Sequence, residues 1–453
     1  MPLSELPLPF VGADASGDEP PEIRVPPPGP ASRSAVARLQ QVECPAFGQR
    51  LRARAERTGA EMLPIVLASG KGSNLVDVDG NRYVDLIAGF GALLLGHSAT
   101  PVLRAVEGQA ARLALALGDV YSADAKIALL ERLASLHPGV RPRVLLAQSG
   151  SDAVTAALKT ARLATGRPGL IAFEGAYHGL GYGPLPACGV RPSYREPFAD
   201  QLNPRVTFAP YARTLAEVDR ALTSVEAALA AGDVGAVLVE PILGRGGCVV
   251  PPDAFLQGVV ALAHRHGALV IADEIWTGLG RAGSMVRSAA AGAAADILCF
   301  GKGLGGGVAV SACVASEDVM MAWAREPEVV HTSTHAGAPI ACAAALATLD
   351  AVRFHGLVAR SVEVGDAARA ALRAALDGVA GVVEVRGAGL MIGVELDTGE
   401  RALRAMRGML ARGYLVLTGG LRSEVLTLTP ALTIRQERLD DAALALREAL
   451  RRG

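Results

Sequence analysis

Between residues 96 and 345, short apolar segments alternate with longer segments of helical periodicity. Six of the apolar segments lie at residues 143–149, 169–173, 235–242, 267–275, 296–302 and 309–316. Near-continuous apolar strands separated by helices are typical of a mostly parallel central sheet with helices on both faces. We therefore predict that residues 96–345 form a large α/β domain.

The segments on either side of this region have different patterns. Apolar and polar residues alternate around Asp79-Gly80, which predicts an antiparallel hairpin. Beyond residue 346 the pattern predicts a long helix, a strand-like stretch, a further helix, two short strands and a closing helix at 436–451. We predict that residues 36–95 and 346–453 build a smaller α/β domain from both ends of the chain.

The first 35 residues are rich in proline and poor in large apolar side chains. Nine of the 27 prolines fall within the first thirty residues. Such a composition offers little apolar surface to offset the entropy cost of ordering the chain. We predict that residues 1–35 form a disordered, proline-rich tail.

Charge and cysteine usage narrow the class of protein. The 453-residue chain has a formal net charge of −1 and no block of like charge, so we expect no nucleic acid or anionic membrane as a partner. No apolar run is long enough to cross a bilayer. The six cysteines have neither the spacing of a zinc site nor the density of a disulfide scaffold. We predict a cytoplasmic protein with reduced thiols and no metal site.

Two charged residues follow buried strands and are candidates for chemistry. Lys302 precedes a glycine cluster that would let a ligand approach closely, and partial burial would make its amine nucleophilic. Asp273 ends an apolar strand, where ligands of parallel sheets bind, and a pyridinium nitrogen would be a suitable cationic partner for its carboxylate. Taken singly, a solvated lysine and a capping or ion-paired aspartate are the alternatives.

Two loops add weaker signals. Ser149-Gly150-Ser151 forms a strand-to-helix turn whose backbone amides and positive helix end suit a phosphate, although an ordinary helix cap is the commoner use of such a turn. Tyr177 follows a strand and could stack on a flat ring, although aromatic residues in such loops are more often packing residues. Each loop is ambiguous alone.

The order of these features along the chain resembles the class III aminotransferases of pyridoxal 5′-phosphate (PLP) fold type I. The matching stretches, which span residues 149–350, are SGSDAVTAALKTAR, FEGAYHG, VEPILGRGG, ADEIWTGLGRAG, DILCFGKGLGGG and HTSTHAGAPIACAAALATLD. Weaker similarity extends from about residue 60 to the C terminus. As a set these motifs are highly specific. The resemblance implies that residues 96–345 are the PLP-binding domain.

The resemblance implies the catalytic roles. Lys302 would hold PLP as a Schiff base and, once displaced by substrate, move a proton between the substrate carbon and the cofactor. Asp273 would pair with the pyridine nitrogen and keep it protonated. These two residues are the predicted catalytic pair.

The resemblance also implies the residues that hold the cofactor. Those predicted to hold the phosphate, cover the two ring faces or lie beside the ring are Ser149, Gly150, Ser151, Tyr177, Ile275, His178, Glu240 and Thr334. We expect Glu240 to support the hydrogen-bond network around Asp273. A purely structural hydrogen bond is an equal alternative for His178. Thr334 matches a threonine that the family contributes to the phosphate across a dimer interface, which implies a homodimer with shared active sites.

Three positions depart from the family pattern and bear on the substrate. Many members have glutamine where this chain has Trp276, and an indole is larger and cannot accept a hydrogen bond. A carboxylate-binding arginine is replaced by Thr427, and a glutamate that neutralises it in those members is replaced by Arg245. We hypothesise that Arg245 binds a substrate carboxylate, because a guanidinium matches a carboxylate bidentately. An arginine turned to solvent is an equal alternative.

The predicted function is amino-group transfer from an amino acid or amine donor to a keto acid. A PLP-dependent racemase or epimerase of the same family is the alternative, since the loss of the arginine at position 427 is compatible with a reaction that needs no second carboxylic substrate. A binding protein that kept the fold and lost catalysis is a remote alternative, because both Lys302 and Asp273 are present.

Overall fold

Two helices and a small antiparallel sheet come first in the computed structural model, which describes residues 17–325 and 328–451. The elements of this first part are α1 (Pro30–Val42), α2 (Pro45–Thr58), β1 (Leu67–Lys71), β2 (Asn74–Asp77) and β3 (Arg82–Asp85). The predicted turn at Asp79-Gly80 connects β2 and β3, which pair antiparallel. Gly80 has a φ of 84°, a conformation that favours glycine.

The prediction of a disordered tail is wrong for residues 17–35. Asn74 accepts a hydrogen bond from the backbone amide of Glu19, and Asn81 accepts two from the amides of Arg24 and Val25. These buried asparagine side chains of the hairpin provide hydrogen-bond acceptors for the backbone amides of a segment that has little apolar surface of its own. Hydrogen bonding, which the composition could not reveal, therefore orders this segment; residues 1–16 lie outside the described residues.

A proline and an aspartate fix the start of α1. Pro30 occupies the first turn, where its missing N–H costs nothing. The carboxylate of Asp79 accepts hydrogen bonds from the amides of Ala31 and Ser32 at 2.7 and 2.9 Å. An acid near a helix start is stabilising, because it meets unpaired amides and the positive end of the helix dipole.

The central sheet has seven strands in the order β4-β10-β9-β8-β7-β5-β6. Its strands are β4 (Arg143–Ala147), β5 (Gly169–Phe173), β6 (Val206–Ala209), β7 (Val234–Val239), β8 (Leu269–Asp273), β9 (Ile297–Phe300) and β10 (Ser311–Ala315). Strands β6, β5, β7, β8 and β9 run parallel, and β10 pairs antiparallel with both β9 and β4. The predicted mostly parallel sheet is confirmed.

Both faces of this sheet are covered, as predicted. Alternate strand residues belong to two different apolar clusters: Val237 packs into the cluster that contains Phe255 and Val259, whereas Leu238 packs into the cluster that contains Val154. The helices around the sheet are α3 (Ala88–Gly91), α4 (Thr100–Arg112), α5 (Asp124–Ala134), α6 (Gly150–Thr165), α7 (Val218–Leu229), α8 (Asp253–Arg265), α9 (Arg287–Ala290), α10 (Glu317–Met320) and α11 (Pro339–Phe354).

The last part of the chain adds a four-stranded antiparallel sheet and joins the first part. Its elements are α12 (Leu357–Leu376), β11 (Val382–Ala388), β12 (Met391–Leu396), α13 (Gly399–Ala411), β13 (Tyr414–Leu415), β14 (Leu417–Gly419), β15 (Val425–Leu428) and α14 (Gln436–Arg451). Strand β13 pairs parallel with β3, so both chain ends share a sheet. The predicted boundary between residues 345 and 346 falls inside α11, and the division into domains stays a prediction.

None of the helices in the described ranges could cross a membrane alone; only α11 and α12 taken together are long and apolar enough, and they are bent by 66°.

Candidate active site

Three of the predicted residues lie at one edge of the central sheet. Asp273 ends β8, Glu240 follows β7, and Lys302 follows β9 by two residues. Since β7, β8 and β9 are parallel neighbours, their carboxyl ends meet at the same edge, which is where open α/β sheets bind ligands. The structure thus brings together the acid and the amine that the sequence singled out.

Asp273 is buried and is held by two hydrogen bonds. Its Oδ2 lies 2.7 Å from Nδ1 of His178, and its Oδ1 accepts from the amide of Ile275 at 3.1 Å. The other ring nitrogen of His178, Nε2, is buried without a partner among the described residues. His178 therefore orients the carboxylate of Asp273, and the sequence had left this role undecided.

Lys302 has a strained backbone and a low-polarity environment. Its φ of 41° lies in the left-handed region, which residues other than glycine rarely adopt. Residues with such strained backbones cluster at functional sites. Burial lowers the pKa of its amine, while the negative charges of Asp273 and Glu240 oppose that shift. Near neutral pH, a larger fraction of the Lys302 amine is therefore unprotonated and nucleophilic than is usual for a lysine.

Trp276 lies directly beside this amine. The Nζ of Lys302 is 4.0 Å from the centroid of the Trp276 ring, a distance suited to a cation–π contact. The indole is 8% exposed, and its Nε1 has no hydrogen-bond partner within the described part of the chain. Gly91 and Gly244 lie against the indole and leave no space for a side chain. The indole thus forms a wall of the site where the family more often has an amide.

Among the described residues Glu240 forms no hydrogen bond with Asp273 itself, and its support of the hydrogen-bond network around Asp273 stays a prediction. Its carboxylate accepts from the backbone amides of Tyr177 at 2.7 Å and Gly244 at 2.9 Å. Burial raises its pKa, and the nearby charge of Asp273 acts in the same direction. Glu240 thus accepts hydrogen bonds from two loops at once and holds these loops in place around the site.

The turn predicted to hold a phosphate lies at the start of α6. Ser149 caps this helix by accepting from the amide of Asp152, and the Ser151 hydroxyl accepts from the amide of Gly181 at 3.1 Å. The first amides of a helix have no carbonyl partner within it, which makes the turn suitable for an anion. Ile275 packs against Gly150, where an added Cβ would lie 2.9 Å from its Cδ1.

Replacing Gly150 with alanine is expected to weaken cofactor binding about tenfold, because the methyl group would displace Ile275 and narrow the space above the turn. Equilibrium dialysis against the cofactor measures this loss. The control is Gly166→Ala at the other end of α6, where a Cβ meets no atom within 4 Å; Gly166 has a φ of 71°, so this variant should lower stability without changing cofactor affinity. Equal affinities for Gly150→Ala and the wild type would contradict the assignment.

Arg245, Trp276 and Thr427 lie around a small pocket, whereas Thr334 lies outside it. The guanidinium carbon of Arg245 is 5.3 Å from the centroid of the Tyr177 ring. Arg245 lines a pocket together with Trp276 and Thr427. Thr334 is exposed, and within this single chain it is not part of that pocket; its contribution to a neighbouring subunit stays a prediction.

Most residues that line this pocket were not predicted from the sequence, and Phe90 and Thr418 are two examples. Phe90, with a φ of 61°, and Thr418 contribute to its lining. They come from α3 and β14, which lie more than 300 residues apart in the chain. No local motif marks either residue, because only the tertiary fold brings these segments together.

These residues fit a flat aromatic aldehyde with a phosphate and a basic ring nitrogen. Asp273 offers a buried carboxylate to the nitrogen, Lys302 a desolvated amine to the aldehyde, and the α6 turn unpaired amides to the phosphate. Nε2 of His178 and the donor Nε1 of Trp276 have no hydrogen-bond partner among the described residues and are free to bind a polar group. The described residues thus meet the chemical requirements of PLP.

Comparisons with known proteins agree with this fit. Curated relatives include acetylornithine aminotransferases from Methanopyrus kandleri (38% identical over 388 residues, covering 86% of this chain and 95% of the relative) and Mycobacterium tuberculosis (37% over 384 residues, 84% and 91%). A PLP-bound amine transaminase from an uncultivated Pseudomonas species has a TM-score of 0.81 at 30% identity and covers 86% of this chain and 95% of its own. An ornithine aminotransferase from Toxoplasma gondii has a TM-score of 0.80 at 28% identity, with coverages of 93% and 95%.

The fold and the cofactor follow from these findings. The structural relatives are PLP transaminases with the same α/β architecture, so the chain has PLP fold type I and its cofactor is PLP. The sequence profile described as aminotransferase class III matches residues 55–450. This chain therefore belongs to the class III aminotransferases and catalyses the PLP-dependent transfer of an amino group.

Proposed function

We propose that this aminotransferase works through Lys302 as its covalent and proton-transferring amine, with Asp273 as the partner of the pyridine nitrogen. The observation that carries the proposal is the convergence of these two residues at the ends of neighbouring strands β8 and β9, with the amine desolvated. PLP, when bound, supplies an aldehyde that takes up the amino group and a ring that withdraws electrons from the substrate carbon.

Lys302 has two tasks in this proposal. When PLP is bound, the amine of Lys302 would hold it covalently at its aldehyde carbon. Once displaced by the amino substrate, Nζ would be the base positioned to take up the proton of the substrate carbon and to return it to the cofactor on the same face. The neighbouring indole of Trp276, 4.0 Å away, limits the positions of the amine and excludes water from that side.

Asp273 and His178 together would keep the pyridine nitrogen of bound PLP protonated. The carboxylate is fixed by the 2.7 Å contact to the His178 ring and by the amide of Ile275. Burial of this pair keeps water from competing for the ring nitrogen. Tyr177 and Ile275 are proposed to cover the two faces of the ring, the former held in place through Glu240.

Arg245 is proposed to bind the carboxylate of the amino or keto acid. It lines the same pocket as Trp276 and lies beside the Tyr177 ring. Thr427, which stands where many members have an arginine, lines the pocket too and is uncharged. Among the described residues that line this pocket, Arg245 has the charged side chain to which a carboxylate would bind.

Replacing Arg245 with glutamine is expected to raise KM for carboxylate substrates about tenfold or more, because a charge-assisted bidentate contact is lost. The rate constant at saturation should change less. Steady-state assays with an amino acid donor and a keto acid measure both constants. Arg205→Gln removes an arginine from a surface pair with Asp233 and is the control. Unchanged KM values for both substrates would refute this role.

A homodimer with shared active sites is part of the proposal. The segment from Leu115 to Tyr121 exposes several large apolar side chains, and Val329 and Val330 expose two more. These segments meet around a common cavity next to Thr334. Apolar surface of this kind favours association with another chain. A cytoplasmic location is also proposed, on the basis of six free cysteines, five of them buried.

A half-reaction screen tests the proposed function. Single amines and amino acids are added to the cofactor-loaded enzyme, conversion of the cofactor to its amine form is followed by absorbance, and the recovered amino acid is assayed for inversion. Stable conversion, reversed by a keto acid, supports the proposal. Inversion of the substrate without conversion of the cofactor would instead support a racemase.

A further inference from the structure

Three half-buried arginines lie close enough together for their charges to interact, and one of them lines the substrate pocket. They are Arg54 on α2, Arg191 in the segment after β5, and Arg245 of the pocket itself. They come from three distant parts of the chain, so their proximity is a property of the fold. We call these three residues the arginine cluster.

The loop at residues 419–424 forms hydrogen bonds with two members of the cluster, Arg245 and Arg191. Its Gly420 donates a backbone hydrogen bond to the carbonyl of Arg245 at 2.8 Å. The hydroxyl of Ser423 accepts from the Arg191 guanidinium at 2.8 Å. Arg57, three residues beyond Arg54 on the same helix, reaches a carbonyl of this loop and pairs with Glu400. Because residues three apart share a helix face, Arg54 also faces this region.

The positive charge of the cluster is not balanced by the protein. Across residues 17–325 and 328–451, none of the three arginines forms an ion pair, whereas Arg57 has its glutamate. Burial, together with the charges of nearby arginines that include Arg191 and Arg245, lowers the pKa of Arg54 to about 10. Like charges held together in partial burial cost free energy unless a ligand compensates them.

We propose that the arginine cluster is a binding site for a dianionic phosphate or phosphonate group carried by the substrate, at the end remote from the reacting amine. This inference rests on the proposed function, in which Arg245 binds the substrate carboxylate. Arg54 and Arg191 then remain to bind the second anion. The class of substrate is thus an amino acid, or amino compound, that is also a phosphate monoester or phosphonate.

The amount of charge favours a phosphate over a second carboxylate. A carboxylate carries one negative charge, whereas a phosphate monoester carries about −1.5 to −2 at neutral pH and offers three acceptor oxygens. Two guanidinium groups in addition to Arg245 match that charge and can donate from separate directions. Arg54 and Arg191 approach from different elements, α2 and the segment after β5, as such an arrangement requires.

The test compares matched ligands on the cofactor-loaded enzyme. The probes are ω-phosphonoalkanoates of increasing chain length, each paired with the dicarboxylate and the monocarboxylate of equal length. Affinities are measured by isothermal titration calorimetry. We expect the best phosphonate to bind about tenfold more tightly than its matched dicarboxylate, and the preference to shrink with added salt.

Variants locate the site. Arg54→Gln and Arg191→Gln are each expected to weaken phosphonate binding about tenfold and leave monocarboxylate binding unchanged. Arg52→Gln is the matched control, since Arg52 is on the same helix but lines a cavity with Gln40 and Glu43 on its other side; it should leave all affinities unchanged. The cofactor absorption band verifies that each variant is folded and loaded.

Several results would overturn the proposal. One is a dicarboxylate that binds as tightly as its matched phosphonate at every chain length. Others are an unchanged phosphonate preference in Arg54→Gln and Arg191→Gln, or an equal loss in Arg52→Gln. These failures differ from failure of the proposed function. If amines convert the cofactor but phosphonates are not preferred, only the arginine-cluster assignment fails, whereas absence of conversion with any amine contradicts the proposed function itself.

Discussion

Replacing Lys302 with alanine is expected to lower the transamination rate by at least about 10⁴-fold, because the variant loses both the amine that binds the cofactor and the base that moves the proton. The visible absorption band of the bound cofactor should disappear or shift in the same variant. Stopped-flow absorbance with an amino donor measures both quantities.

Two variants control for effects that are not chemical. Lys302→Arg keeps a positive charge but replaces the primary amine, and it should be as inactive as the alanine variant. Lys71→Ala removes an exposed lysine at the end of β1, and its activity should be unchanged. A Lys302→Ala enzyme with an unaltered band and a rate within tenfold of the wild type would refute the assignment.

The environment of Lys302 also predicts a pH dependence. Burial lowers the pKa of the amine, so its neutral form becomes available at a lower pH than is usual for lysine. The rate of cofactor loading should therefore rise with pH and level off well below 10.5, the ordinary pKa of a lysine.

Replacing Asp273 with asparagine is expected to lower the rate by about 10²- to 10³-fold or more, because an amide cannot stabilise a protonated pyridine nitrogen as a carboxylate does. The 2.7 Å contact with His178 would lose its charge as well. Cofactor should still bind, since the turn at α6 and Lys302 are unchanged. Half-reaction rates and dialysis affinities separate the two effects.

A neighbouring acid provides the control for Asp273. Glu274 is also buried, but its carboxylate accepts hydrogen bonds from Ser288 and Thr277. Glu274→Gln should lower the free energy of unfolding while leaving the rate per loaded enzyme unchanged. An Asp273→Asn enzyme as active as Glu274→Gln would contradict the role of Asp273.

The sequence predicted the central sheet because its strands are buried on both sides. Segments such as 267–275 and 296–302 are apolar almost throughout, and buried parallel strands have that pattern. The residues at their ends, Asp273 and Lys302, are then brought together by strand order alone. This part of the site could therefore be predicted from local patterns and motif order.

The parts that could not be predicted depend on contacts between distant segments. Residues 17–35 are ordered by the amide side chains of Asn74 and Asn81, about fifty residues further along the chain. The sequence predicted that Glu240 supports the hydrogen-bond network around Asp273, but it could not predict that its carboxylate accepts from the amides of Tyr177 and Gly244. The arginine cluster has no signature in the sequence, since Arg54, Arg191 and Arg245 come from three distant parts of the chain.

The most direct test of the account is to identify the residue that carries the cofactor. The loaded enzyme is reduced with borohydride to fix the covalent link, digested with a protease, and analysed by mass spectrometry. The account predicts the cofactor mass on one peptide, at Lys302. Cofactor mass on a peptide that contains a different lysine, or on no peptide at all, would contradict it.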